Sequence, residues 1–371
     1  MRTPSRFIFS GALFAAAVLS PLHGQEEAEA GDIEVSASYE EAMGRYGSRP
    51  VEALERRGPN QFEPVTLVGF GVGGVEIRYP DLDNVITFEE DKLNFPITYR
   101  PDFDADRYNA LREEGREDEA LELLRAEAYP LLQYVPIDPG KAAIHAPVAR
   151  LLDALLAAGR VDETASILES FPRDRLTGYF QTQAVEGASL LVEEGSIDRA
   201  YDLVKEFPVG PGETTFVDVY LDLANEIRLR GEWERARDLY TDVQLASSPD
   251  ETPEAFLWEA YIHLQEDRAF MVDDILDRFE DLDPDSRYYS LRELVRGVVL
   301  ENAGNNREAL SALAKGVVYS TTNDPWTPEL LFRTADLYES EDFEGAAEEI
   351  REQLRFFYPD SIWVRRLAGA P

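Results

Sequence analysis

The feature that most constrains this chain is a joint that recurs seven times. A Gly or polar residue is followed, five residues later, by a small residue inside the next helix. The instances are Gly115…Ala120, Gly159…Thr164, Gly195…Ala200, Gly231…Ala236, Asp267…Val272, Gly304…Ala309 and Glu341…Ala346. Successive joints stand 44, 36, 36, 36, 37 and 37 residues apart. Glycine suits the left-handed residue that closes a helix. A small residue five positions on lets two helix axes approach closely. Other columns hold the same phase. Leu111, Leu155, Leu191, Ile227, His263, Leu300 and Leu337 stand four before the joint, and Leu124, Leu168, Val204, Tyr240, Leu276, Leu313 and Ile350 nine after it. Ala188, Ala224, Ala260, Gly297 and Thr334 form a small column seven before it. An apolar stripe on each helix with a small column between them predicts antiparallel helix pairs, each of which needs neighbours on both sides.

The segments Gly231-Glu232-Trp233-Glu234-Arg235-Ala236 and Gly304-Asn305-Asn306-Arg307-Glu308-Ala309 resemble the inter-helix turn of the tetratricopeptide repeat (TPR) family, and Pro284 falls where that family closes a repeat. The resemblance covers about 255 of the 371 residues, over 104–359. It departs from the family in a period longer than 34, in a joint at Asp267 without Gly or Ala, and in a Pro-rich insertion (Pro130, Pro136, Pro139) within the 44-residue step. The expected fold is mainly α, a solenoid of about seven TPR-like helical hairpins preceded by a small N-terminal β segment. The resemblance implies a groove, lined by the first helix of each repeat, that takes an extended peptide or helix of a partner protein. Positions six and three before each joint give its lining: Ser189, Val192, Asn225, Arg228, Tyr261, Leu264, Val298, Glu301, Ala335 and Tyr338. The family's carboxylate clamp needs several Lys, Arg and Asn together, and only Asn225 and Arg228 fit it.

Upstream the texture changes. Val65–Phe70, Val75–Tyr79, Val85–Phe88 and Phe95–Tyr99 are rich in β-branched and aromatic residues and are separated by Gly, Pro, Asp and Asn, which predicts hairpin-connected strands over 64–100. Residues 25–63 read as a loose leader followed by one or two short helices broken near Gly47-Ser48-Arg49-Pro50. At the start, Arg2 and Arg6 precede an apolar run from Phe7 to Leu22, the pattern of a secretory signal, cleaved after Gly24 or after Ala30. No second apolar stretch long enough to span a membrane follows. An exported address, in the periplasm or cell envelope, is the expectation.

Composition removes function classes. With no cysteine the chain has no disulfide, thiol nucleophile, Cys-ligated zinc or lipid-modified Cys. A net charge of −37, from 73 acidic against 36 basic residues, repels phosphate backbones, so nucleic acid is not an expected partner, and a basic or cation-bearing one is favoured. Only Lys92, Lys141, Lys205 and Lys315 are lysines. The glycines of Gly69-Phe70-Gly71-Val72-Gly73-Gly74 precede a strand rather than a helix, so they form a hairpin and not a dinucleotide site. Asp281, Asp283 and Asp285 begin like a calcium loop, but Ser286 and Arg292 stand where Gly and Glu are required. His263 sits in an apolar column and reads as a satisfied core histidine; His145 lies in another repeat. No catalytic residue, metal set or cofactor motif emerges. A scaffold is the first reading. The alternatives are a glycan-binding module using residues 64–100 and Trp326, a loop residue read either as exposed or as packed on the last repeat, and an enzyme built on a helical array.

Overall fold

The computed structural model describes residues 33–369, apart from 59–60, 83, 93–96, 100–102, 174–175, 177, 206, 208–216 and 267. The apolar run at 7–22 and both cleavage points lie outside the described residues. The chain divides into residues 1–34 and 35–371, and the second unit is described here.

A short helix, α1 (Tyr39–Ala42), runs into a turn at Met43–Gly47. A six-stranded sheet follows: β1 (Val51–Gly58), β2 (Gln61–Gly71), β3 (Gly74–Arg78), β4 (Val85–Phe88), β5 (Ile97–Tyr99) and β6 (Ala142–Ala143), in the order β4-β3-β2-β1-β5-β6. Antiparallel pairing sets Val51 against Leu67 and Leu67 against Ile77, so one face carries a continuous apolar line. That face, with Ala53, Val65, Val75 and Ile97, is buried with Tyr46 and Tyr134. The sheet therefore begins at Val51, and the expectation of helix or leader up to residue 63 fails there. Glu52, Ala53, Leu54 and Arg56 are helix formers, but Val51 and Ala53 alternate into the core, and buried Glu55 accepts a hydrogen bond from the Tyr79 hydroxyl at 2.7 Å. Cross-strand pairing and burial override local propensity here.

The remainder is helical. The hairpins are α2 (Ala105–Glu113) with α3 (Glu117–Ala128), α4 (His145–Ala157) with α5 (Val161–Glu169), and α6 (Gly178–Glu193) with α7 (Ile197–Val204). They continue with α8 (Val217–Leu229) and α9 (Trp233–Ala246), α10 (Pro253–Gln265) and α11 (Val272–Arg278), α12 (Arg287–Asn302) and α13 (Asn306–Tyr319), and α14 (Thr327–Ser340) and α15 (Glu344–Phe357). A last helix, α16 (Ile362–Leu367), puts Trp363 against Phe332, with ring centroids 5.1 Å apart. These are the seven TPR-like hairpins of the expectation. The Pro-rich insertion forms a 3-10 helix (Tyr129–Tyr134) and β6, which joins the sheet beside β5, so the long step serves to dock the sheet on the array.

All seven joints share one backbone hydrogen bond. The backbone N–H groups of Arg116, Arg160, Ser196, Glu232, Arg268, Asn305 and Phe343 each donate to the carbonyl five residues earlier, at 2.8–3.3 Å. Gly115, Gly159, Gly195, Gly231 and Gly304 stand at φ between 67° and 87°. These are Schellman closures, which require a left-handed residue. In the last hairpin that residue is Asp342, at φ 66°, so the joint lies one position later than expected. The small residue in contact is Ala347, fully buried, rather than half-buried Ala346. Asp tolerates the left-handed region because its short polar side chain bonds locally. Asp342→Gly is expected to stabilise the last hairpin by about 0.5–1 kcal/mol, seen as a higher urea midpoint with an unchanged slope.

Candidate functional site

The first helices α8, α10, α12 and α14 meet around one carboxylate. Glu329 is fully buried; its Oε1 accepts from the Tyr261 hydroxyl at 2.5 Å and from Arg333 Nε at 3.0 Å, and its Oε2 from Arg228 Nη1 at 3.3 Å. Arg333 also donates to the Tyr261 hydroxyl at 2.7 Å and to Glu301 at 3.2 Å. The Arg228 guanidinium lies 3.5 Å from the ring centre of Trp258. Beside it, Asn225 donates to Glu254 at 2.9 Å and accepts from the Tyr240 hydroxyl at 2.7 Å. Burial pushes the Glu329 carboxyl up, but Arg333, Arg228 and the Tyr261 hydroxyl together hold it below the usual carboxylate range. Glu254 makes no ion pair among the described residues, and burial leaves its carboxyl raised against Asn225, Arg287 and Trp258.

Four of the residues expected to line an open groove are therefore members of this cluster. Asn225, Arg228 and Tyr261 are buried and Glu301 is half-buried at its edge; Leu264 is buried as well. Residues 101 positions apart, Arg228 and Glu329, touch, so between α8 and α14 the first helices fill their inner side with their own side chains. The expected lining fails here because the register of one hairpin does not report how closely helices three hairpins apart approach. Tyr338 is half-buried and stacks edge-on against Phe343, with centroids 6.1 Å apart.

Between α4 and α8 the arrangement is different. Ser189 is half-buried on α6 and faces Glu226 of α8. Around them stand Asp153 on α4, Glu186 and Glu193 on α6, and Asp218 and Asp222 on α8, all exposed. These were not read from the sequence. The signal was present, since Glu186 and Asp222 both lie nine before a joint glycine. Burial, then the Asp153 charge, raises the Glu186 carboxyl. Burial, then Asp218, raises Asp222 against the pull of Arg287. Burial, then Glu193, pushes Glu226 up to about 7; Asp222 adds to the rise, while the Ser189 hydroxyl and Arg230 oppose it. Because the folded-state value is the raised one, the stability linked to Glu226 is full below its unfolded value and is lost as pH rises towards 7. Glu226→Gln is therefore expected to raise stability by about 1 kcal/mol at about pH 7.5, allowing for solvent screening, and to change little at about pH 4. Urea titrations at the two pH values measure the difference.

The other candidates resolve simply. Gly71–Gly74 is the β2–β3 hairpin turn. Asp281, Asp283 and Asp285 are exposed in the α11–α12 connection. Trp326 is fully buried, its Nε1 donating to the Ser290 hydroxyl at 2.8 Å, so it offers no exposed sugar-stacking face. His145 Nε2 lies 2.9 Å from the Val135 carbonyl oxygen. His263 is buried in its column as expected, but both ring nitrogens lack a hydrogen-bond partner among the described residues; Glu259 approaches only to 3.6 Å. No group of three or more metal-ligating side chains stands together among the described residues, and none of the described helices is long and apolar enough to cross a membrane.

No family model matches the chain, and no curated protein does. Solved structures match at low identity. YrrB, a TPR protein with an unusual peptide-binding site, is 18% identical; the match covers 50% of this chain and 91% of YrrB, with a TM-score of 0.27. The APC/C hetero-tetramer Cut9–Hcn1 is 13% identical over 69% of this chain and 46% of that one, with a TM-score of 0.38. The C-terminal part of a TPR repeat-containing protein from Cytophaga hutchinsonii is 13% identical over 69% of this chain and 96% of its own, with a TM-score of 0.35. The fold itself, seven helical hairpins preceded by a sheet, rests on the elements described above.

Proposed function

We propose that the chain is an exported, non-enzymatic scaffold of the periplasm or cell envelope that holds an extended or helical segment of a partner protein. The observation that carries this reading is the run of stacked hairpins, because such an array gives successive first helices a shared inner side, and between α4 and α8 a chain segment can lie along it. The buried polar groups at its centre are paired with one another rather than arranged as nucleophile, base and oxyanion donors, which favours binding over chemistry. Export rests on Arg2, Arg6 and the apolar run that follows them. The test is crosslinking and co-purification of the full chain from the envelope of its native cells, with fractionation alongside. A specific protein recovered at near-stoichiometric yield from the envelope fraction is the expected result. Recovery of the chain from the cytoplasm with its first 24 residues intact, or retention on wall glycan with no protein captured, would overturn it.

A further inference from the structure

In the N-terminal hairpins, up to α8, the carboxylates of the second helices and those of the first are treated differently. On the second helices, Asp118 pairs with Arg160, Asp162 with Arg199, and Asp198 with Arg235, each across neighbouring hairpins. On the first helices, none of Asp153, Glu186, Glu193, Asp218, Asp222 and Glu226 has an ion-pair partner among the described residues. Helix α6, which carries the middle of this stripe, contains no basic residue at all. Arg287 and Arg230 are the cations that act on the α8 end, and at the α4 end a hollow of about 220 Å³ brings Arg112 and Arg150 near Asp153. Against these four cations stand the six carboxylates, so the local balance is acidic.

A second observation is independent of charge. Gln183, only 3% exposed, lies beneath the stripe on α6. Its amide nitrogen donates to Asp153 and, at 2.8 Å, to the Tyr179 hydroxyl, so the carbonyl oxygen is the end left over; that oxygen is buried and has no donor. Reversing the amide would set its oxygen against the Asp153 carboxylate, so this orientation is the favourable one. Glu226 Oε2 on the neighbouring helix is likewise buried without a donor. Buried acceptors normally find partners, and two orphaned ones within an acid-lined surface mark a place short of N–H groups.

We propose that the inner surface of α4, α6 and α8 binds an extended cationic peptide that crosses the three helices and presents a Lys or Arg side chain to each. The proposal rests on the scaffold reading and specifies its partner. Neighbouring helix axes lie roughly 8–10 Å apart. An extended chain advances about 3.3 Å per residue, so one basic residue in every three matches the helix spacing, and about seven residues span the stripe.

The test uses the full chain after export and a fluorescein-labelled nine-residue peptide with Arg at every third position and Gly and Ser between. Two control peptides carry the same residues with the three Arg contiguous, or Glu in place of Arg. Fluorescence anisotropy is expected to show binding of the periodic peptide at least fivefold tighter than of the contiguous one, no binding of the Glu peptide, and weakening as salt is raised. Glu186→Gln with Asp222→Asn is expected to weaken binding at least tenfold. Asp273→Asn with Asp274→Asn, which removes the same charge from exposed positions on α11, is expected to leave it within twofold. Circular dichroism confirms that each variant is folded. Equal loss in the two double variants, or equal binding of the periodic and contiguous peptides, would reduce the effect to overall charge and overturn the proposal. If the partner captured from the envelope binds the Glu186→Gln, Asp222→Asn variant as well as the native chain, the scaffold reading stands and this site falls.

Discussion

Glu329→Ala is expected to destabilise the C-terminal half of the array by about 3–5 kcal/mol, because it strands the buried Arg228 guanidinium and takes from half-buried Arg333 one of its two carboxylates. Among the described residues Arg228, 4% exposed, has no other carboxylate within ion-pair distance, and its Nε already lacks a partner. Arg333 keeps Glu301, so the larger share of the cost falls on Arg228. The loss should be local in its first effect. Helices α8, α10 and α14 are joined through this carboxylate, whereas α2 to α5 make none of these contacts. Hydrogen exchange should accelerate in α8 and α14 while α3 and α5 keep native protection, and urea unfolding should lose its single transition, as arrays do when one interface weakens. Arg228→Met combined with Glu329→Gln should cost much less than Glu329→Ala, because it removes the stranded charge along with its partner. Uniform loss of protection along the whole chain, or a change below 1 kcal/mol, would show that the cluster does not tie the hairpins together. The sign with pH is also fixed. The Glu329 carboxyl is held low, so its contribution is present above the unfolded carboxylate value and disappears as pH falls through the folded one.

What the sequence exposed was what one hairpin determines by itself. A left-handed closing residue is nearly always visible as glycine, and five of the seven joints announced themselves in that way. The last did not, because Asp342 adopts the conformation without being glycine, and the column slipped by one residue. β1 was hidden by its own composition, since Glu, Ala, Leu and Arg favour a helix in isolation; only pairing with β2 on one side and β5 on the other decides otherwise. The closed part of the inner side was out of reach for a third reason. Whether Arg228 meets solvent or Glu329 depends on curvature accumulated over three hairpins, and no local period carries that information. The acid stripe was within reach: Glu186 and Asp222 share a register, but overall acidity concealed it, because any column of so acidic a chain contains carboxylates.

Glu122→Ala is expected to cost about 3 kcal/mol and to release the segment that precedes the sheet. Glu122, 2% exposed on α3, accepts from the Ser36 N–H at 3.0 Å, the Ser36 hydroxyl at 2.7 Å, Arg45 at 3.0 Å, the Tyr46 hydroxyl at 2.7 Å and Arg125 at 3.1 Å. Arg125 would remain satisfied, since Glu163 takes its Nε and Nη2 at 2.8 and 2.7 Å. The cost therefore falls on Ser36, Arg45 and Tyr46, which all donate to this one side chain and carry the chain into β1. Limited proteolysis should cut between Ser36 and Arg49 in the variant and spare the native chain, while the joints at Gly231 and Gly304 remain protected. Burial works to raise the Glu122 carboxyl, but these donors hold it below its usual range, so the native segment should loosen as pH falls through that lowered value. This is opposite in sign to Glu226, whose removal helps most at neutral pH. The opposition follows from the partners: Glu122 is surrounded by donors and Glu226 by other carboxylates. A proteolysis pattern unchanged in Glu122→Ala, or a loosening that appears on raising the pH, would show that the segment is held by apolar packing of Tyr46 and Ala42 instead.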